Sequence, residues 1–162
     1  MLRPAMKNTM KGERQKEHCL VEWELTSQIL AAFYTVYNAL GFGLLEHIYA
    51  NALAIELRAR GFHVEREVPV EVYYLGVRAG LFRLDLVVEG KILVECKATE
   101  HLSPTARPQM FNYLKCSSYP VALLLHFGPT PRHHRFIQPA LLRKMPRTGD
   151  EHDATGPSET TR

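Results

Sequence analysis

The spacing of apolar residues changes character along this chain. Between residues 22 and 40, Leu25, Ile29, Ala32, Phe33, Val36 and Leu40 recur at steps of three and four, which predicts an amphipathic helix. Gly41 and Gly43 end it. A second stripe, Leu45, Ile48, Tyr49, Ala52, Leu53 and Leu57, predicts a helix over 44–60, closed by Gly61. From Phe62 the period drops to two: Val68, Val70, Val72 and Tyr74 alternate with Pro69, Glu71 and Tyr73. A turn at Leu75 and Gly76, then strands over 81–88 and 92–97, complete an antiparallel meander. Helical spacing returns in "SPTARPQMFNYLKC", with Ser103 as a cap and Pro104 suited to the first turn. The run "VALLLHF", residues 121–127, is apolar almost throughout, the pattern of a strand covered on both faces. A short strand over 133–137 follows the "GPTP" turn.

This order predicts one α/β domain over residues 21–138, because 162 residues are too few for two well-buried cores. Residues 1–20 read as a disordered basic N-terminal arm and 139–162 as a disordered polar tail. Apolar residues at 46% and charged residues at 23% exclude bulk disorder. A net charge of +3 permits contact with phosphates without demanding it. Cys19, Cys96 and Cys116 form no CxxC pair, so neither a disulfide framework nor a zinc ribbon is expected, and a reducing, cytoplasmic compartment is the simpler reading. No apolar run has the length of a membrane span, and no membrane partner is expected.

The chemistry gathers in "FRLDLVVEGKILVECKA", residues 82–98, where Asp85, Glu95 and Lys97 interrupt a run of branched apolar residues. Unpaired charge is costly in such surroundings. Glu95 and Lys97, two apart on a strand, share a face that Val94 and Cys96 do not. The turn decides whether Asp85 joins them. A two-residue Glu89-Gly90 turn would pair Asp85 with Val94 on the opposite face, whereas a three-residue Glu89-Gly90-Lys91 loop sets it across from Glu95. A functional site requires the odd loop or a bulge. Two converging carboxylates suit a hard divalent cation, Mg²⁺ or Mn²⁺, with a water whose pKa it lowers and a lysine to stabilise charge on a phosphodiester. The plainer alternative is a solvated strand face carrying a Glu and Lys pair.

Asp85, nine intervening residues, Glu95, one residue and Lys97 together resemble the PD-(D/E)XK nuclease superfamily. "GLLEHIY", residues 43–49, resembles the G-x-x-E-x-x-Y signature of the bacterial GxxExxY proteins, and "QMFNYLK", residues 109–115, their Q-x-x-x-Y helix. The resemblance runs over residues 22–137. It implies a restriction-endonuclease-like α/β core, a mainly antiparallel mixed sheet flanked by helices. It also implies a metal-dependent nuclease acting on nucleic acid, DNA in the first instance, as a monomer or a homodimer. Asp85, Glu95 and the Cys96 backbone carbonyl become metal ligands, and Lys97 the catalytic lysine. Glu46 helps hold metal or water, while Gln109, Tyr113 and Tyr49 position nucleic acid. Each has a plainer role. An acid is favoured in the first turn of any helix, Tyr49 fits a core, and Gln109 and Tyr113 can cap and pack. Phe42 stands where members carry proline. "ARPQ" replaces a His-Glu-Ala run, which implies a helix shortened to begin at Pro108.

A non-catalytic interaction module on the same fold is the rival reading, and stabilisation by divalent metal separates the two. Zinc hydrolysis is disfavoured by the oxygen-rich ligands and the lack of paired His spacing. His126 reads as a hydrogen-bonded structural residue. Arg58, Arg60, Arg66, Arg78, Arg83, Lys115, Arg132 and Arg135 are scattered in sequence and are candidates for a phosphate track, with solvated surface the default for each.

Overall fold

The computed structural model describes residues 21–143. In chain order these form α1 (Trp23–Leu40), α2 (Glu46–Ala59), β1 (Val64–Tyr74), β2 (Val77–Val88), β3 (Ile92–Lys97), α3 (Ala106–Cys116), β4 (Val121–His126), β5 (Arg132–Ile137) and a short α4 (Pro139–Arg143). The strands make one five-stranded sheet in sequence order, antiparallel except for the parallel pair β3 and β4. This is the expected mixed sheet flanked by helices. The N-terminal arm, with Cys19, and the tail from residue 144 lie outside the described residues. Helix α4 occupies the first five positions of the stretch expected to be an unstructured tail.

Helices α1 and α2 cover one face of the sheet, where Ile29, Phe33, Tyr49 and Leu53 pack with Leu86, Ile92, Val94, Cys96 and Leu123. Helix α3 covers the other through Met110 and Leu114 against Leu84, Val87, Leu93 and Leu124. All six residues of β4 are buried, which accounts for the absence of alternation in "VALLLHF". Each fully buried Leu or Ile contributes roughly 1.5–3 kcal/mol relative to exposure.

Strand β2 begins four residues earlier than its apolar pattern implied. Leu75 and Gly76 turn tightly at positive φ, 49° and 77°, so pairing resumes at Tyr74 with Val77. Helix α3 also corrects an expectation. It opens at Ala106, and Pro108 is third in it, where a helix has no use for an amide. The Gln109 amide closes the first full turn on the Thr105 carbonyl at 2.9 Å. Ser103 is not the cap; its Oγ accepts from the Thr105 amide at 3.3 Å instead.

Candidate active site

The loop between β2 and β3 sets the register on which the site depends. Glu89 and Gly90 both take positive φ, 54° and 61°, and the Lys91 amide donates to the Val88 carbonyl at 3.0 Å. Lys91 is then one residue too many for a two-residue turn, so Val88 pairs with Ile92, Val87 with Leu93 and Leu86 with Val94. The ladder ends there, and continuing its count by one step matches Asp85 with Glu95. The odd loop that a site required is present.

A second local feature frees Asp85 from the ladder. Strands β1 and β2 keep one register through this region, yet the rung between Glu67 and Asp85 is missing, and Glu67 takes φ 54°. Leu86 packs under α1 and α2 while Leu84 packs under α3. Residues two apart on an unbroken strand share a face, so β2 turns over at Asp85. Beyond this point β2 and β3 part, and the Cys96 amide donates to Asp85 Oδ2 at 2.8 Å, in place of a backbone partner. The Lys97 carbonyl accepts from the Phe127 amide at 2.7 Å, on the side of β4. By strand alternation the Cys96 carbonyl opens towards the gap that holds Asp85. The Cys96 sulfur packs in the core, and burial pushes its thiol well up.

Glu95 and Lys97 share a face as expected. Lys97 Nζ lies 2.8 Å from Glu95 Oε1 and 3.2 Å from Glu46 Oε1, so the acid that opens α2 reaches the strand end across 51 positions of sequence. Burial and the neighbouring Asp85 charge raise Glu95 to about 7, with the Lys97 bond pulling the other way. Burial also raises Asp85, against the opposing pull of the Cys96 amide. For Lys97, burial acts downward, but the hydrogen bond and charge of Glu95, with Glu46 beside it, hold the ammonium above the ordinary lysine range. Glu95 Oε2 is buried with no partner.

Tyr49 is fully buried and stacks on Phe127 with centroids 4.4 Å apart. Its hydroxyl donates to the Gly41 carbonyl at 2.6 Å and accepts from the Leu44 amide at 3.2 Å. Tyr49 thus fills the core position that was its plainer role. It braces the loop from which Glu46 starts, where Gly43 takes φ 115°. The pattern G-x-x-E-x-x-Y is thus a glycine bend, the acid it aims and the tyrosine that ties the bend down. Gln109 and Tyr113 lie on one face of α3, joined by a 2.6 Å bond from Gln109 Nε2 to the Tyr113 hydroxyl, and Tyr113 stacks on Phe82. Neither bonds to the Asp, Glu and Lys group. The ion pair between Glu46 and Lys97 was not legible in advance, although the G-x-x-E-x-x-Y resemblance had placed Glu46 at the site.

A sequence model of the PD-(D/E)XK nuclease superfamily matches residues 23–137. No curated protein matches the chain. Among solved structures, the crystal structure of SSO0001 is similar at a TM-score of 0.43 and 19% identity, covering 75% of this chain. The present chain spans 61% of that one. Among the described residues no helix is long and apolar enough to cross a membrane.

Proposed function

The chain belongs to the PD-(D/E)XK nuclease superfamily, and on that premise we propose that it hydrolyses phosphodiester bonds of DNA with Mg²⁺ or Mn²⁺ held by Asp85 and Glu95. The observation that carries this reading is the odd loop, which sets the two carboxylates opposite each other beside a fixed lysine. The donor set fits a hard cation. Glu95 Oε2 is buried without a partner, and Asp85 and Glu95 repel, a strain that a cation between them relieves. Among the described residues no three His, Cys, Asp or Glu side chains form a cage. Two carboxylates and the Cys96 carbonyl leave the other positions to water and substrate, as Mg²⁺ prefers. When bound, the cation offsets charge on the phosphodiester and lowers the pKa of a water.

Lys97 stays protonated at neutral pH, so it orients the attacking water or stabilises the oxyanion developing on phosphorus and is not a base. Glu46 acts in this scheme by holding Lys97 Nζ and by lying within reach of metal or water. Gln109 and Tyr113 form the nucleic-acid-positioning pair. Within the superfamily we place the chain among the bacterial GxxExxY proteins, on Gly43, Glu46 and Tyr49 with Gln109 and Tyr113. Monomer and homodimer both suit the scheme. The free thiols of Cys96 and Cys116 support a cytoplasmic setting.

The test is cleavage of linear, circular and single-stranded DNA, and of RNA, with Mg²⁺ or Mn²⁺. Lys97→Ala and Asp85→Asn should each lower turnover by roughly 10²-fold or more while the chain stays folded. A Lys97→Ala protein as active as wild type refutes the scheme.

A further inference from the structure

One polar cavity takes no part in the scheme above. It measures about 330 Å³, lies where β3 and β4 end, and is lined by Glu100, His101, Leu102, His126 and Arg132 among others. That is the small end of the ~300–1,000 Å³ range of ligand pockets.

Its floor is closely built. His126 is 3% exposed, and its Nε2 lies 2.7 Å from the Thr99 carbonyl. A carbonyl only accepts, so Nε2 carries the proton and Nδ1 is an acceptor. That Nδ1 is buried and has no partner. Gly128 allows the packing, because a Cβ there would sit 2.5 Å from the His126 ring and 3.0 Å from the Thr99 carbonyl. The Tyr37 hydroxyl, shared between the Gly128 and Pro129 carbonyls at 3.0 Å each, holds the adjoining wall.

Position points to the ligand. Lys97 and His126 are partners across the parallel pair β3 and β4, so the cavity begins about 5 Å from the lysine strand, on the same face of the sheet. Arg132 stands at one edge, exposed and in no ion pair among the described residues. Glu100 presents an acceptor at the same cavity, whereas His126 offers it the ring alone, its Nδ1 being closed off from solvent. A bare anion would meet Glu100, and a bare cation would meet Arg132. A nucleotide carries both an anionic phosphate and hydroxyl or amine donors.

We propose that this cavity is the subsite for the nucleotide adjoining the scissile phosphodiester, with Arg132 on its phosphate, Glu100 accepting from its sugar or base and the His126 ring as its floor. The identity of the ligand rests on the nuclease reading. Arg132 and Glu100 would then set substrate affinity and which side of the break is gripped.

The test follows the ¹⁵N-labelled full chain by NMR, in chelator, as thymidine 5′-monophosphate, thymidine or inorganic phosphate is added. Saturable shifts at His126, Thr99 and Arg132 are expected with the mononucleotide, and binding of thymidine or phosphate alone should be weaker by about tenfold or more. Arg132→Gln should weaken mononucleotide binding by about tenfold, and Lys91→Gln, at the opposite end of β3, should leave it unchanged. An equal response to phosphate alone, or no saturable shift at His126 up to about 10 mM, overturns the subsite. The two readings fail separately. Cleavage without mononucleotide binding removes the subsite and leaves the nuclease, whereas mononucleotide binding in a chain that cleaves nothing removes hydrolysis and leaves the nucleotide site.

Discussion

Glu95 makes a 2.8 Å ion pair with Lys97, and removing half of such a pair ordinarily destabilises a protein. Here the opposite is expected when metal is absent. Burial and the Asp85 charge raise Glu95 from an ordinary 4.5 to about 7, with the attraction of Lys97 already counted. At about 1.4 kcal/mol per pKa unit, ionised Glu95 is about 3 kcal/mol costlier in the folded chain than in the unfolded one. Because the folded value is the higher one, the contribution of protonated Glu95 is fully present below about 4.5 and is lost as pH rises through 7. Glu95→Gln keeps the shape and an acceptor for Lys97, which also retains Glu46 at 3.2 Å, but never ionises. In chelator at pH 8 the variant should be more stable than wild type by about 1–3 kcal/mol, and the advantage should fade towards pH 5. Urea unfolding at the two pH values measures both differences. A variant less stable than wild type at pH 8, or one with an unchanged pH slope, refutes the argument that this carboxylate is held at an energetic cost.

Divalent metal should reverse the order. Mg²⁺ or Mn²⁺ at 100 times its dissociation constant should stabilise wild type by about 2.7 kcal/mol and leave Asp85→Asn unmoved, as read by melting temperature. Tyr49→Phe removes the bonds to Gly41 and Leu44 and should cost about 1–3 kcal/mol in unfolding free energy. Turnover should fall in Tyr49→Phe while nucleic-acid affinity holds, because the brace acts through Glu46; weakened binding with normal turnover contradicts that. Deleting Lys91 leaves Glu89 and Gly90, both already at positive φ, as a two-residue turn that keeps Val88 across from Ile92 and every residue of β3 on its present face. That deletion should leave the fold intact by circular dichroism and turnover near wild type, and loss of the folded state refutes the register argument.

Much of this molecule is written in local pattern. The stripes from Leu25 to Leu40 and from Leu45 to Leu57 became α1 and α2, and the alternation after Phe62 became β1, because helical and strand periods are steric properties of neighbouring residues. The shared face of Glu95 and Lys97 follows from the same rule. A loop of two or three residues between β2 and β3 was compatible with the sequence, and the choice depends on Glu89 accepting a positive φ and Lys91 standing outside the ladder. The turnover of β2 at Asp85 had no signal in composition, since it arises from two helical layers competing for Leu84 and Leu86. Pro108 misled the reading of α3, because a proline in a first turn marks a helix start only to within a few residues. Glu46 meets Lys97 because α2 packs across the end of the sheet, and His126 lies beside that lysine because β3 and β4 are parallel. The sequence by itself determined which residues are helical, which are extended, and which carry charge into an apolar hairpin. Only the tertiary structure decided which of those charges meet, because contacts between distant segments depend on the summed packing of the whole core, which no short stretch of chain contains.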